Sequence, residues 1–315
     1  MLRITGLARS FAGRPVLHRV ELTLAPGKPE EALPGVRRLL CNNPGPFTFK
    51  GTITYIVGRG KLAIIDPGPE DEAHIASLLA AVRNETVTHV FVTHTHRDHS
   101  PAAARIKSVT GAVVLAEGPH RPARPLHADE APRLEASNDL NFRPDRTLAD
   151  GEIVEGSGWA IEAVATPGHT ANHMAYALKG TDVLFSGDHV MAWSTPVVAP
   201  PDGAMGDYMR SLEKLSRRPE QIYLPGHGPA VTSAPRFVAA YIIHRKARET
   251  AILRQLAKGE SDIPDLVRAI YSGLDPRLVQ AAGYSVLAHL EDLISRGLVA
   301  ASGPATIAAR YRLAG

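Results

Sequence analysis

Residues 88–100 read "THVFVTHTHRDHS", an apolar run that ends on His94, His96, Asp98 and His99. Four residues of metal-ligand type fall within six positions, in a chain that spreads 14 histidines over 315 residues. The apolar run reads as a buried strand. If its backbone stays extended, His94 and His96 face one side, because strand side chains repeat every second residue. Asp98 and His99 come after a turn and face a neighbouring point. A single ion cannot take all four from so short a loop, whereas two ions sharing the loop can. Zinc accepts imidazole and carboxylate at roughly 2.0–2.2 Å. A histidine-rich surface loop is the competing reading, but nothing in that reading places it at the end of an apolar strand.

A metal site needs more ligands than one loop holds, and the later chain offers them in a repeated frame. His169 lies in "TPGHT", Asp188 in "FSGDH" and His227 in "LPGHG". Each follows a glycine directly after a strand-like run, where glycine lets the backbone turn and approach closely. Cys41 is the only cysteine. That excludes an intrachain disulfide and a cysteine-rich zinc site, and it fits a cytoplasmic setting. In its context "RRLLCNN", Cys41 reads as a small core residue rather than a nucleophile.

At this length two units are expected. Residues 1–35, with a strand-like "VLHRVELTLAPGK", form an N-terminal extension. Residues 36–235 mix strands and helices throughout, which indicates α/β layers. Helices are expected in "DEAHIASLLAAVR", "SPAAARIKSVTG" and "DYMRSLEKLSRR". Residues 117–150, rich in Pro, Arg and Asp, read as an exposed excursion. Residues 236–315 run helix, helix, helix, hairpin, the order of a winged helix. No apolar run of about 18 residues is present, so no membrane span is expected, and the opening lacks the apolar stretch of a secretory leader. Net charge of +3 and a pI near 9.0 permit an anionic substrate but do not mark a nucleic-acid binder. The third C-terminal helix carries Glu291, Asp292 and a single arginine in "SVLAHLEDLISRG", which suits a lid beside the active site or a homodimer element better than a phosphate-reading helix.

The ordered set "HTHRDH", "GHT", "GD" and "GHG", preceded by Asp66 in "LAIIDPG", resembles the metallo-β-lactamase superfamily over residues 36–235. The resemblance implies a four-layer αβ/βα sandwich with metals at one edge between the sheets. It implies that His94, His96 and His169 hold one ion, that Asp98, His99 and His227 hold a second, and that Asp188 bridges them. Asp66 then supports the metal loop without binding. Two Zn2+ are the implied cofactors, with Mn2+ or Fe accepted by the same ligands. With "CNNPGPFTFKGTITYIVG", "TPGHTANHMAYAL", "LPGHGP" and "HRKARE", the chain is similar to the branch that carries a C-terminal winged helix, which includes lactamase-β-like endoribonucleases.

Two ions about 3.5–4 Å apart share a hydroxide near neutral pH and polarise the bond under attack. Asp98 binds through one oxygen and orients the nucleophile or shuttles a proton with the other. The expected chemistry is hydrolysis of an ester, thioester, amide or phosphodiester. Single-stranded RNA is the substrate the resembling branch implies. A thioester hydrolase of the hydroxyacylglutathione type is the alternative, followed by a metal-dependent dioxygenase with fewer ligands. Weak β-lactamase activity would fit the same site. Three further residues are candidate substrate contacts. His173 follows His169 by four positions, and its competing role is a hydrogen-bonded histidine at a strand start. Trp193 lies in the long loop "GDHVMAWSTPVVAPPDG". Tyr208 opens a helix that follows.

Overall fold

The computed structural model describes residues 24–127 and 137–315, together with a short pairing of Ser10–Phe11 against Arg14–Pro15. Most of the expected strand "VLHRVELTLAPGK", and the middle of the 117–150 excursion, lie outside the described residues.

Two sheets stack face to face. The first runs in chain order as β1 (Glu30–Leu33), β2 (Val36–Leu40), β3 (Ile53–Val57), β4 (Lys61–Ile65), β5 (Thr86–Phe91), β6 (Val113–Ala116) and β7 (Arg146–Thr147). Its first four strands pair antiparallel and the rest parallel. The parallel steps need crossovers, and α1 (Glu72–Ala81) and α2 (Ala102–Thr110) provide the first two. Asp71 caps α1 by accepting from the His74 amide at 2.7 Å, satisfying an amide that has no partner inside the helix. The second sheet is β8 (Ile153–Glu155), β9 (Ala160–Ala165), β10 (Met174–Leu178), β11 (Val183–Gly187) and β12 (Ile222–Pro225).

Period-2 alternation sorts the strand side chains into layers. Ile53, Tyr55 and Val57 of β3 face the space between the sheets, with Ile161, Tyr176, Phe185 and Leu224 opposite. Ile56 points the other way, onto Ile75, Leu78 and Ile106 of the two helices. On the far side Leu184 packs under α3 (Met205–Leu215) and the first half of α4 (Ala234–Leu256), through Leu212, Val238 and Tyr241. The result is helices, sheet, sheet, helices. Each fully buried Phe or Leu in these layers contributes about 1.5–3 kcal/mol. Tyrosines pin the two sheets together. Tyr55 donates to the Pro225 carbonyl at 2.8 Å and Tyr176 to the Val92 carbonyl at 2.7 Å. Both bonds land at strand ends that begin site loops.

The C-terminal unit has its own core. Ile252 and Leu256, from the second half of α4, join residues of α5 (Ile263–Ile270) and α6 (Val279–Ser295). A three-stranded sheet, β13 (Ser261–Asp262), β14 (Val299–Ala301) and β15 (Arg310–Leu313), completes it. Helix, helix, helix and wing follow in the expected order. Two boundaries differ from the expected ones. The first sheet already includes Glu30–Leu33, upstream of residue 36, because "EEAL" pairs along an edge where little burial is needed. Helix α4 belongs to both units rather than starting the second. Among the described residues no helix is long and apolar enough to cross a membrane.

Candidate metal centre

The "THTHRDHS" loop leaves β5 at one edge of the sandwich, where it meets the ends of β10, β11 and β12. Backbone bonds tie these ends together. Met174 N donates to Thr93 O at 2.8 Å, Gly226 N to Gly187 O at 2.9 Å, and Ile53 N to Gly226 O at 2.8 Å. The glycines of the Gly-Asp and Gly-His frames are there for space. A Cβ at Gly226 would sit 2.5 Å from His99 Cε1 and 2.7 Å from Asp188 Oδ1. At Gly187 it would sit 2.6 Å from His173 Nε2, on a backbone with φ of +49°. Neither position tolerates a side chain without displacing the cluster.

Ligand-type atoms converge in three overlapping groups: His94, His96 and His169; Asp98, His99 and His227; and His94, His99 and Asp188. His96 Nδ1 lies 3.0 Å from His94 Nε2 and 3.1 Å from His169 Nε2. His99 Nε2 and His227 Nε2 are 3.3 Å apart, and Asp98 Oδ2 is 3.1 Å from His227 Nε2. Asp188 stands between the groups, with Oδ2 3.3 Å from His227 Nε2 and 3.8 Å from His169 Nε2. Around a tetrahedral ion with bonds of roughly 2.0–2.1 Å, neighbouring ligands lie about 3.3 Å apart. The donor set therefore fits metal ions as it stands. Asp188 Oδ1 supports the same fit, being a buried carboxylate oxygen with no hydrogen-bond partner, a costly arrangement unless a cation completes it.

Each histidine is held from behind by its other nitrogen. His94 Nδ1 meets Thr93 Oγ1 at 2.9 Å, and that hydroxyl donates to Asp66 Oδ2 at 2.7 Å. His99 Nδ1 is 2.9 Å from the same Asp66 oxygen, while Asp66 Oδ1 accepts from the Thr93 amide at 2.7 Å. His169 Nδ1 points to Val197 O at 2.7 Å, His227 Nδ1 to Gly51 O at 3.1 Å, and His96 Nε2 to Asp202 Oδ2 at 3.0 Å. Acceptors on the outer nitrogens fix the tautomer and aim the free lone pairs inward. Thr52 Oγ1 donates to Asp98 Oδ2 at 3.0 Å and is itself held by Asn43.

Charge divides the site in two. Burial, then the neighbouring His99 and His96, hold His94 well below the ordinary histidine range. Burial likewise brings His169 down to about 4. These are neutral imidazoles, ready to ligate. Burial also opposes the charged forms of His99 and His227, but there the carboxylates win. Asp98, Asp188 and Asp66 hold His99 well above its usual value, and Asp188 and Asp98 raise His227 to about 10. Protons on His99 and His227 thus stand where the two carboxylates call for a cation, and metal binding displaces such protons.

A cavity of about 1070 Å³ opens from the cluster. Asp98, His169 and His227 line it, and so do Arg245 and Arg248 of α4 and Tyr271 of the C-terminal unit. Trp193 forms part of its wall, stacked on Phe49 with ring centroids 5.2 Å apart. His173 is not brought to the cavity. Its ring is fully buried, meeting Thr166 Oγ1 at 2.8 Å and accepting from the Asp188 amide at 3.2 Å, so it braces the backbone of Asp188. Tyr208 is not brought there either. It is fully buried on the inner side of α3 and donates to His189 O at 2.9 Å, because its position in the helix faces the sheet. Cys41 is buried, and burial, with a smaller effect from Asp71, pushes its thiol up to about 12, which leaves it inert.

The model of the "Metallo-beta-lactamase superfamily" matches residues 47–227, and that of the "Beta-lactamase associated winged helix domain" matches residues 263–305. The chain belongs to the metallo-beta-lactamase superfamily. Within the superfamily, "Beta-lactamase-like protein 2 homolog" of Drosophila melanogaster is 34% identical over 274 residues, covering 83% of this chain and 88% of that protein. "Atrochrysone carboxyl ACP thioesterase AgnL7" of Paecilomyces divaricatus is 31% identical over 236 residues, covering 74% of this chain and 68% of that protein. The crystal structure of a metallo-beta-lactamase family protein from Thermus thermophilus superposes with a TM-score of 0.72 at 23% identity, covering 90% of this chain and all of that one.

Sequence reasoning missed Asp202, Thr52 and Asn43. Asp202 holds His96 from 106 positions away, after the cis Pro200–Pro201 bond. The sequence marks that segment only as the end of the long loop "GDHVMAWSTPVVAPPDG". Thr52 and Asn43 lie in the motif "CNNPGPFTFKGT", but no periodicity marked them as support for Asp98.

Proposed function

We propose that this chain is a dinuclear metal-dependent hydrolase of acyl thioesters or esters. The observation that carries the reading is the set of seven converging ligands beside an open cavity. His94, His96 and His169 would hold one ion, Asp98, His99 and His227 the other, and Asp188 would span both. Two Zn2+ suit this mixed imidazole and carboxylate set, and Mn2+ or Fe accept the same ligands. Such ions lower the pKa of a shared water and polarise a carbonyl. Asp98 lines the cavity with its side chain a quarter exposed. Held by Thr52, it orients the attacking water and takes its proton. Trp193, held by its stack on Phe49, shapes the wall against which the acyl part would rest. Seven converging ligands favour a dinuclear hydrolase over a mononuclear iron dioxygenase, which needs fewer.

A thioester or ester is preferred over RNA because the site opens into a cavity that the C-terminal unit helps to wall, which suits a small acyl group. The thioesterase name of the Paecilomyces relative agrees. The deciding assay sets a neutral acyl thioester, a glutathione thioester and a single-stranded RNA side by side, with and without chelator. Chelator-sensitive thioester hydrolysis is expected. Cleavage of the RNA alone would replace this reading with the endoribonuclease one.

A further inference from the structure

The cavity is also lined by two guanidinium groups from one face of α4. Arg245 is 3% exposed, donates to Pro196 O at 2.6 Å, and lies 5.0 Å above the Tyr208 ring. Arg248, one residue short of a full turn later, donates to Ile270 O at 2.9 Å and lies 4.2 Å above the Tyr271 ring. Both line the cavity that contains Asp98 and His227. Each has a buried Nε with no hydrogen-bond partner. Neither makes an ion pair among the described residues. Glu249, the next residue after Arg248, is taken by Arg296 at 2.6 Å, and Glu291 is taken by Arg124 at 2.9 Å. Carbonyl oxygens and ring faces therefore carry both cations. A buried guanidinium normally has a counter-ion, because its desolvation is costly without one. Arg245 is buried and Arg248 half-buried, and, three positions apart on one helix, they line the same cavity as the carboxylates of Asp98 and Asp188.

We propose that Arg245 and Arg248 form an anion subsite that binds a carboxylate or phosphate group of the substrate. The guanidinium fork matches either group. The subsite rests on the acyl thioesterase reading for its substrate but not for its existence. Two sources fit the chemistry: a carboxylate at the far end of the acyl chain, or the phosphate of a phosphopantetheine leaving group.

Three thioesters separate these sources: hexanoyl-N-acetylcysteamine, which is neutral; adipoyl-N-acetylcysteamine, with the carboxylate on the acyl side; and hexanoyl-4′-phosphopantetheine, with the phosphate on the thiol side. The wild type should favour one charged analogue over the neutral one by about tenfold or more in kcat/KM, the worth of one charge-assisted contact. Arg248→Gln should erase that preference, and Arg248→Lys should keep part of it. A purely structural arginine would change all three substrates alike. No preference in the wild type, or a preference that survives Arg248→Gln, overturns the subsite. Should no thioester be turned over, calorimetric titration of metal-free protein with adipate and inorganic phosphate still decides. Binding that depends on Arg248 upholds the subsite and places the failure on the thioesterase reading. Absent binding, or binding unchanged in Arg248→Gln, overturns the subsite.

Discussion

Arg245, on the helix shared by the two units, donates to the carbonyl of Pro196 at 2.6 Å. The next carbonyl along, that of Val197, holds His169 Nδ1 at 2.7 Å. Tyr241, one turn earlier, reaches Ser194 O at 2.6 Å and also bonds Met191 O. The loop that carries Asp188 and Asp202 is thus strapped to α4 along its length.

Removing one strap should loosen that loop. Tyr241→Phe removes the one hydroxyl proton that the Met191 and Ser194 carbonyls share, which costs about 1–3 kcal/mol. A lower melting temperature is expected, together with weaker metal retention in chelator competition. An unchanged melt would show that water replaces the phenol.

Asp66 is not among the residues that line the cavity, yet it orients both His99 and, through Thr93, His94. Asp66→Asn keeps the shape and removes the charge. Loss of such a supporting group lowers metal affinity by about 10–100-fold. Competition with a chromogenic chelator measures this, and wild-type affinity would deny Asp66 its supporting role.

Purified protein should contain close to two metal ions per chain by elemental analysis. Chelation should abolish turnover, and added Zn2+ should restore it. Asp98→Ala should lose turnover by about 100-fold or more, the scale of general acid–base catalysis, with an unchanged circular dichroism spectrum. One tightly bound iron per chain would contradict the hydrolase reading.

His289 gives a pH dependence that is independent of the metals. Burial, reinforced by the nearby Arg245, holds its pKa well below 6.5. The folded protein therefore keeps it neutral, while the unfolded chain protonates it. Its contribution to stability is complete above about pH 6.5 and falls as the pH drops below that, by up to about 1.4 kcal/mol per pH unit. The loss of melting temperature between pH 7.5 and 5.5 should be smaller in His289→Leu. Equal losses in the two proteins would show that His289 is not the group responsible.

Much of this site was legible in the sequence for a physical reason. Strand periodicity puts His94 and His96 on one side, and close approach at Gly187 and Gly226 leaves a mark in the chain. What holds the ligands from behind was mostly not legible. Val197 and Gly51 act through backbone carbonyls, which any residue supplies. Asp202 reaches His96 through an irregular loop with no repeat. Tyr208 was misplaced because the start of an amphipathic helix does not say which face looks at the sheet and which at a cavity. Glu30–Leu33 escaped notice because an edge strand needs no apolar alternation.

Helix α4 has one more consequence. Val238 and Tyr241 complete the outer layer over the second sheet, and Ile252 and Leu256 complete the core of the winged helix. A boundary drawn at residue 236 would strip one unit of its cover to give the other its first helix. For recombination, natural or engineered, the seam lies inside a continuous rod. An exchanged C-terminal unit must bring a helix that matches both surfaces in rotational phase, since one inserted residue would turn the far face by about 100°.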